Sequence, residues 1–114
     1  MTIGPFSSFW VFDERDLAPW LTKAQVAIET LQTQKGFIEA QIGRSPDEPQ
    51  RLVVTTKWVD VGSYRRALSS TAAKMNVWPF LATMQDQPSA FEVLMSANDS
   101  EVNTYESSLE GFSN

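Results

Sequence analysis

At 114 residues the chain is long enough to bury a real core as one domain. It has neither histidine nor cysteine, which excludes Ser–His and Cys–His nucleophile pairs, the common zinc sites, histidine-ligated haem and disulfides. A net charge of −5 argues against nucleic acid, and no apolar stretch has membrane-spanning length.

The absence of a spanning stretch leads us to expect a soluble protein, and with no cysteine the cytoplasm is the simplest compartment; the opening Met-Thr-Ile-Gly-Pro lacks the basic and apolar regions of a secretory signal. Ser7 to Phe12 reads as a first strand with Phe9 and Val11 on one side, Trp10 and Phe12 on the other. Both faces are apolar. Asp13, Glu14 and Asp16 follow as acidic capping residues, with Asp16 at the N-cap. A cation site built from these acids is the competing reading, and capping explains them with fewer assumptions. Pro19 suits a first turn, and Leu17, Trp20, Leu21, Ala24, Ile28 and Leu31 form a core-facing helical stripe. Lys35 and a left-handed Gly36 are expected to close the helix.

Phe37 to Arg44 is a second strand, in which Ile38, Ala40 and Ile42 alternate with Glu39, Gln41 and Gly43. The turn residues of 45–49 make it a hairpin with a third strand running from Leu52 to Trp58. Asp60, three residues before Ser63, caps a helix that places Tyr64, Ala67 and Leu68 on one face. Ser69-Ser70-Thr71 then either bends this helix or caps a second segment. If the helix continues, Tyr64, Leu68, Thr71, Met75 and Trp78 share a stripe. Pro79 predicts a break near Asn76 and a short helix to Met84. Gln85 to Pro88 is a loop, and Phe91, Val93 and Met95 alternate with Glu92 and Leu94 as the last strand. Residues 1–95 then form the domain, and 96–114 a polar acidic tail that is mobile or partner-dependent. Asp99, Glu101, Glu106 and Glu110 face no lysine or arginine there.

Strand, helix, strand, strand, helix, strand is the ferredoxin-like α+β order, βαββαβ. It implies a four-stranded antiparallel sheet with helices on one face. The other face cannot be wholly polar, because the first strand and the start of the third are apolar on both sides. A second copy of the chain is the simplest cover, so a homodimer is expected.

Gly36-Phe37-Ile38 after an amphipathic helix, Arg44 ending the second strand, and Thr56-Lys57-Trp58 before a Tyr64-containing helix resemble the antibiotic biosynthesis monooxygenase family over roughly residues 7 to 95. The resemblance implies a dimeric α+β barrel of two ferredoxin-like sheets. One branch of the family oxygenates phenolic, anthrone-type or quinol substrates without metal or cofactor. Another degrades haem with an asparagine on the first strand and a tryptophan and a histidine on the second helix. Those places fall near Phe9, at Ala67 and near Val77, so haem degradation is not expected.

The candidate site follows from the aromatic residues. Trp58 anchors the strand end or forms a wall for a flat substrate. Tyr64 belongs on the buried face, where its hydroxyl needs a partner or serves as catalytic donor to an ionised substrate oxygen. Met75 and Trp78 are core residues or further apolar walls. No cofactor and no metal are called for. Three functions stay open: a cofactor-free oxygenase of electron-rich aromatics, a non-catalytic module holding a small aromatic ligand, and a structural dimer whose cleft is filled by its own aromatics.

Overall fold

The computed structural model describes residues 2–87 and 89–109. The strands β1 (Phe6–Asp13), β2 (Phe37–Arg44), β3 (Arg51–Trp58) and β4 (Ala90–Glu92) form one antiparallel sheet in the order β2-β3-β1-β4. Helix α1 (Leu17–Gln32) and the helices α2 (Val61–Ser69), α3 (Thr71–Asn76) and α4 (Trp78–Leu81) enclose the core with it. This is the expected ferredoxin-like α+β fold. Among the described residues no helix is long and apolar enough to cross a membrane.

Alternation within the strands decides which side is buried. On β1, Ser8, Trp10 and Phe12 are buried, and on β3, Leu52, Val54, Thr56 and Trp58. Trp20, Ala24, Ala27 and Leu31 of α1 meet them from the helical layer. The β2–β3 loop is closed by Arg51 N–H donating to the Glu48 carbonyl (2.8 Å) and the Glu48 N–H donating to the Ser45 hydroxyl (3.1 Å).

Asp16 occupies the N-cap of α1, but its side chain accepts no helical N–H. The helix stops at Gln32, ahead of Lys35 and Gly36. Gly36 is left-handed (φ 91°) and sits in the turn into β2, where its carbonyl accepts from Val59 N–H at 2.9 Å. A Cβ there would overlap the Ser63 side chain at the start of α2. Gly36→Ala therefore combines backbone strain with a clash, and a loss of about 2–3 kcal/mol is expected in denaturant unfolding. An unchanged midpoint would show that this approach is not tight.

The second helical region differs from a continuous stripe. Ser70 adopts extended backbone (ψ 154°), and its hydroxyl accepts from Ala73 N–H at 3.1 Å, so it caps a fresh helix. That break resets the helical phase. Ala73, Val77 and Phe80 turn inward, and Thr71, Met75 and Trp78 turn out.

The last strand also differs. β4 ends at Glu92, and β5 (Met95–Ala97) pairs instead with β6 (Val102–Thr104) as a separate hairpin. Asn98 shapes its turn by accepting from the N–H groups of Ser100 and Glu101. The chain then folds back. The Glu92 carboxylate accepts from the Ser107 and Ser108 hydroxyls, and Glu106 N–H donates to the Thr2 carbonyl at 2.9 Å. Much of the segment expected as a tail is thus hydrogen-bonded structure, while Glu110 and the residues after it lie outside the described ones.

Candidate functional site

The register of β1 on β3 sets Ser8 directly opposite Thr56 and Phe6 opposite Trp58. Both hydroxyls face inward and are buried. Ser8 Oγ lies 2.5 Å from Thr56 Oγ1, which also accepts from the Trp58 indole N–H at 2.9 Å. This small polar seam sits among apolar core residues and is satisfied within itself, as buried polar groups usually are.

Aromatic rings surround it. Tyr64 packs on Phe6 with centroids 5.0 Å apart and on Trp58 at 6.2 Å, edge-on. Phe37 meets the other side of Trp58 at 5.3 Å. Helix α2 brings Tyr64 here because Asp60 caps it, accepting Ser63 N–H at 2.8 Å. The Ser63 backbone bond, then its side chain, with Arg66 adding a smaller effect, hold the Asp60 carboxyl below its ordinary range. Burial pushes the Tyr64 phenol above its ordinary range, with the nearby Trp10 side chain acting in the opposite direction. The hydroxyl is therefore neutral at physiological pH and can donate.

Of the four residues expected at the site, Trp58 and Tyr64 come together; Met75 and Trp78 do not join them. Met75 is 70 % exposed and lines a cleft between α1 and α3. Trp78 is half exposed, its indole N–H donating to the Leu68 carbonyl at 2.9 Å and Lys74 Nζ lying 5.6 Å from its ring centre. The phase reset at Ser70 is the cause. Phe9 sits on the open face of the sheet, against Phe91 at 5.8 Å, whereas Ala67 and Val77 are buried in the core. Sequence reasoning missed Ser8 and Thr56. Their signal was parity: each is a hydroxyl residue two positions from a buried tryptophan, on the same strand face.

Residues 9–75, more than half of the chain, match the family model described as antibiotic biosynthesis monooxygenase. That span runs from β1 to α3 and includes Thr56, Trp58 and Tyr64. No curated protein matches the chain. Among solved structures, SnoaB, a cofactor-independent oxygenase from Streptomyces nogalater, superposes with a TM-score of 0.71 at 17 % identity, covering 86 % of this chain and 99 % of that one. A conserved protein of Methanosarcina mazei gives 0.63 at 17 % identity, covering 90 % and 92 %. Rv0793 of Mycobacterium tuberculosis gives 0.65 at 14 % identity, covering 83 % and 100 %. At such identities the likeness shows the fold alone.

Proposed function

The chain belongs to the antibiotic biosynthesis monooxygenase family, and on that premise we propose that it is a cofactor-independent monooxygenase acting on quinol- or anthrone-type aromatics. The observation that carries this reading is the Tyr64 hydroxyl, held neutral inside a cluster of flat aromatic walls. The likeness to SnoaB supports it. The chain has neither histidine nor cysteine to hold a transition metal, and in a cofactor-free reaction the substrate itself supplies the electron to oxygen, which requires a readily ionised hydroxyl on an aromatic ring. The protein then binds the ring, keeps water away and stabilises the oxyanion. A cytoplasmic location fits a chain without cysteine.

The test is an oxygen electrode with a panel of quinols and anthrones in the presence of a chelator. Uptake above the protein-free rate supports an oxygenase. One observation favours a second reading: Trp58 is wholly buried and only 9 % of Tyr64 reaches solvent, so the aromatic cluster fills its own space. In that case the protein is a non-catalytic ligand-binding or structural dimer of the same fold, and no member of the panel is consumed.

The dimer is part of the proposal. The open face of the sheet carries the exposed Phe9 and Phe91 and the half-buried Val11 and Val53, an apolar face suited to a partner. A second copy packed there should bury more than about 2,000 Å² in total. Light scattering at micromolar concentration should return a dimer, and Val11→Lys a monomer. A monomeric wild type would remove the face-to-face arrangement.

A further inference from the structure

Between the start of α1 and helix α4 lies a cleft of about 160 Å³, none of whose lining residues belongs to the Tyr64 cluster. Glu14, Asp16, Trp20, Lys23, Pro79 and Phe80 shape it. Trp20 is only 4 % exposed, and its indole N–H is buried without an acceptor among the described residues. An unsatisfied buried donor is costly, and it favours any molecule that brings an acceptor oxygen. The acids are also unspent. Asp16 does not cap α1 with its side chain, and among the described residues neither acid is ion-paired, with Lys23 or with any other cation. Across Lys23, Pro79 and Phe80 the cleft adjoins a second one of about 370 Å³, where Val26 and Met75 supply apolar surface.

We propose that these adjoining clefts bind a small zwitterion, an amino acid with an apolar side chain. Its carboxylate takes the Trp20 indole N–H and the Lys23 ammonium. Its ammonium lies toward Glu14 and Asp16, and its side chain fills the lobe between Val26, Met75 and Phe80. A purely anionic ligand would meet two carboxylates, and a purely cationic one would leave the indole N–H without an acceptor. A molecule with both charges answers the two carboxylates, the Lys23 ammonium and the Trp20 indole N–H together.

The experiment follows the four indole N–H resonances of the ¹⁵N-labelled protein during titration with L-phenylalanine, the Trp20 signal being identified by its loss in Trp20→Phe. The expected result is a saturable shift of the Trp20 resonance. Lys23→Ala and Glu14→Gln should each weaken binding about tenfold, the loss of one charge-assisted contact. Two probes that each lack one charge, 3-phenylpropionate and phenethylamine, should bind about tenfold more weakly than L-phenylalanine. Absence of a saturable shift would overturn the proposal, as would equal affinity for the three probes or an affinity indifferent to Lys23→Ala. Because the readout is binding at Trp20, it is independent of whether the protein consumes oxygen.

Discussion

Trp58→Ala is expected to destabilise the protein by about 3–5 kcal/mol, the usual cost of emptying a buried tryptophan site. Three structural reasons place it there. The side chain is wholly buried, its ring meets Phe37 and Tyr64 edge-on, and its indole N–H satisfies Thr56 Oγ1. Truncation leaves a cavity under the sheet and removes a donor from a buried hydroxyl, and both effects have the same sign. Arg66→Ala is the control. Arg66 is exposed, donates to the Ser63 hydroxyl at 3.3 Å and acts weakly on the Asp60 carboxylate, so its removal should stay within about 0.5 kcal/mol. Denaturant midpoints measured on the two variants decide the matter. Similar midpoints would mean that the Trp58 cluster does not hold the core together.

Tyr64→Phe is expected to lower oxygen uptake by roughly 10²–10³ if the proposed oxygenase activity is present, the typical effect of losing one donor to a developing oxyanion. Phenylalanine preserves the ring contacts with Phe6 and Trp58 and deletes only the hydroxyl, so the fold should survive. Burial keeps that hydroxyl protonated, so the wild-type rate should show no tyrosine ionisation between pH 6 and about 9. The two variants separate packing from chemistry: Trp58→Ala should move the unfolding midpoint, and Tyr64→Phe the rate at a nearly constant midpoint. A variant as fast as wild type would take Tyr64 out of the mechanism.

Much of the fold was legible because local chemistry and global architecture agree. Phe37 to Arg44 forms the strand that its alternation predicts, the 45–49 turn closes a hairpin, and Asp60 caps α2 through Ser63. The apolar second face of β1 was readable from Phe9 and Val11 alone. Where the reading failed, the deciding term was not local. A heptad-like count from Tyr64 to Trp78 assumes unbroken phase, and a single serine with extended backbone defeats it. The β5–β6 hairpin is built from three-residue strands held by Asn98 and Glu92, whose partners no periodicity reveals. The Ser8–Thr56 seam required the β1–β3 register, a property of two strands that neither strand carries by itself. Likewise, Asp13, Glu14 and Asp16 were readable as helix-start acids. That Asp16 leaves its carboxylate uncommitted in a cleft that Trp20 also lines depends on how α4 returns to α1.

The sheet order has a consequence for how the chain assembles. Of the four strands of this sheet β1 comes earliest in the chain, yet it lies between β3 and β4, two that come later. Its partner Thr56 is 48 residues away from Ser8, so β1 must wait for a large loop to close before it gains any neighbour. β2 and β3, joined by a six-residue turn at 45–50, can pair as soon as both exist. Local pairing precedes distant pairing because the entropy lost on closing a loop grows with its length. The hairpin is therefore the template, and β1, with Trp10 and Phe12 on one side and Phe9 and Val11 on the other, is the strand that docks onto it. Until that moment the most apolar strand of the protein has no cover on either face, which makes the interval before docking the one in which a nascent chain is most exposed to aggregation.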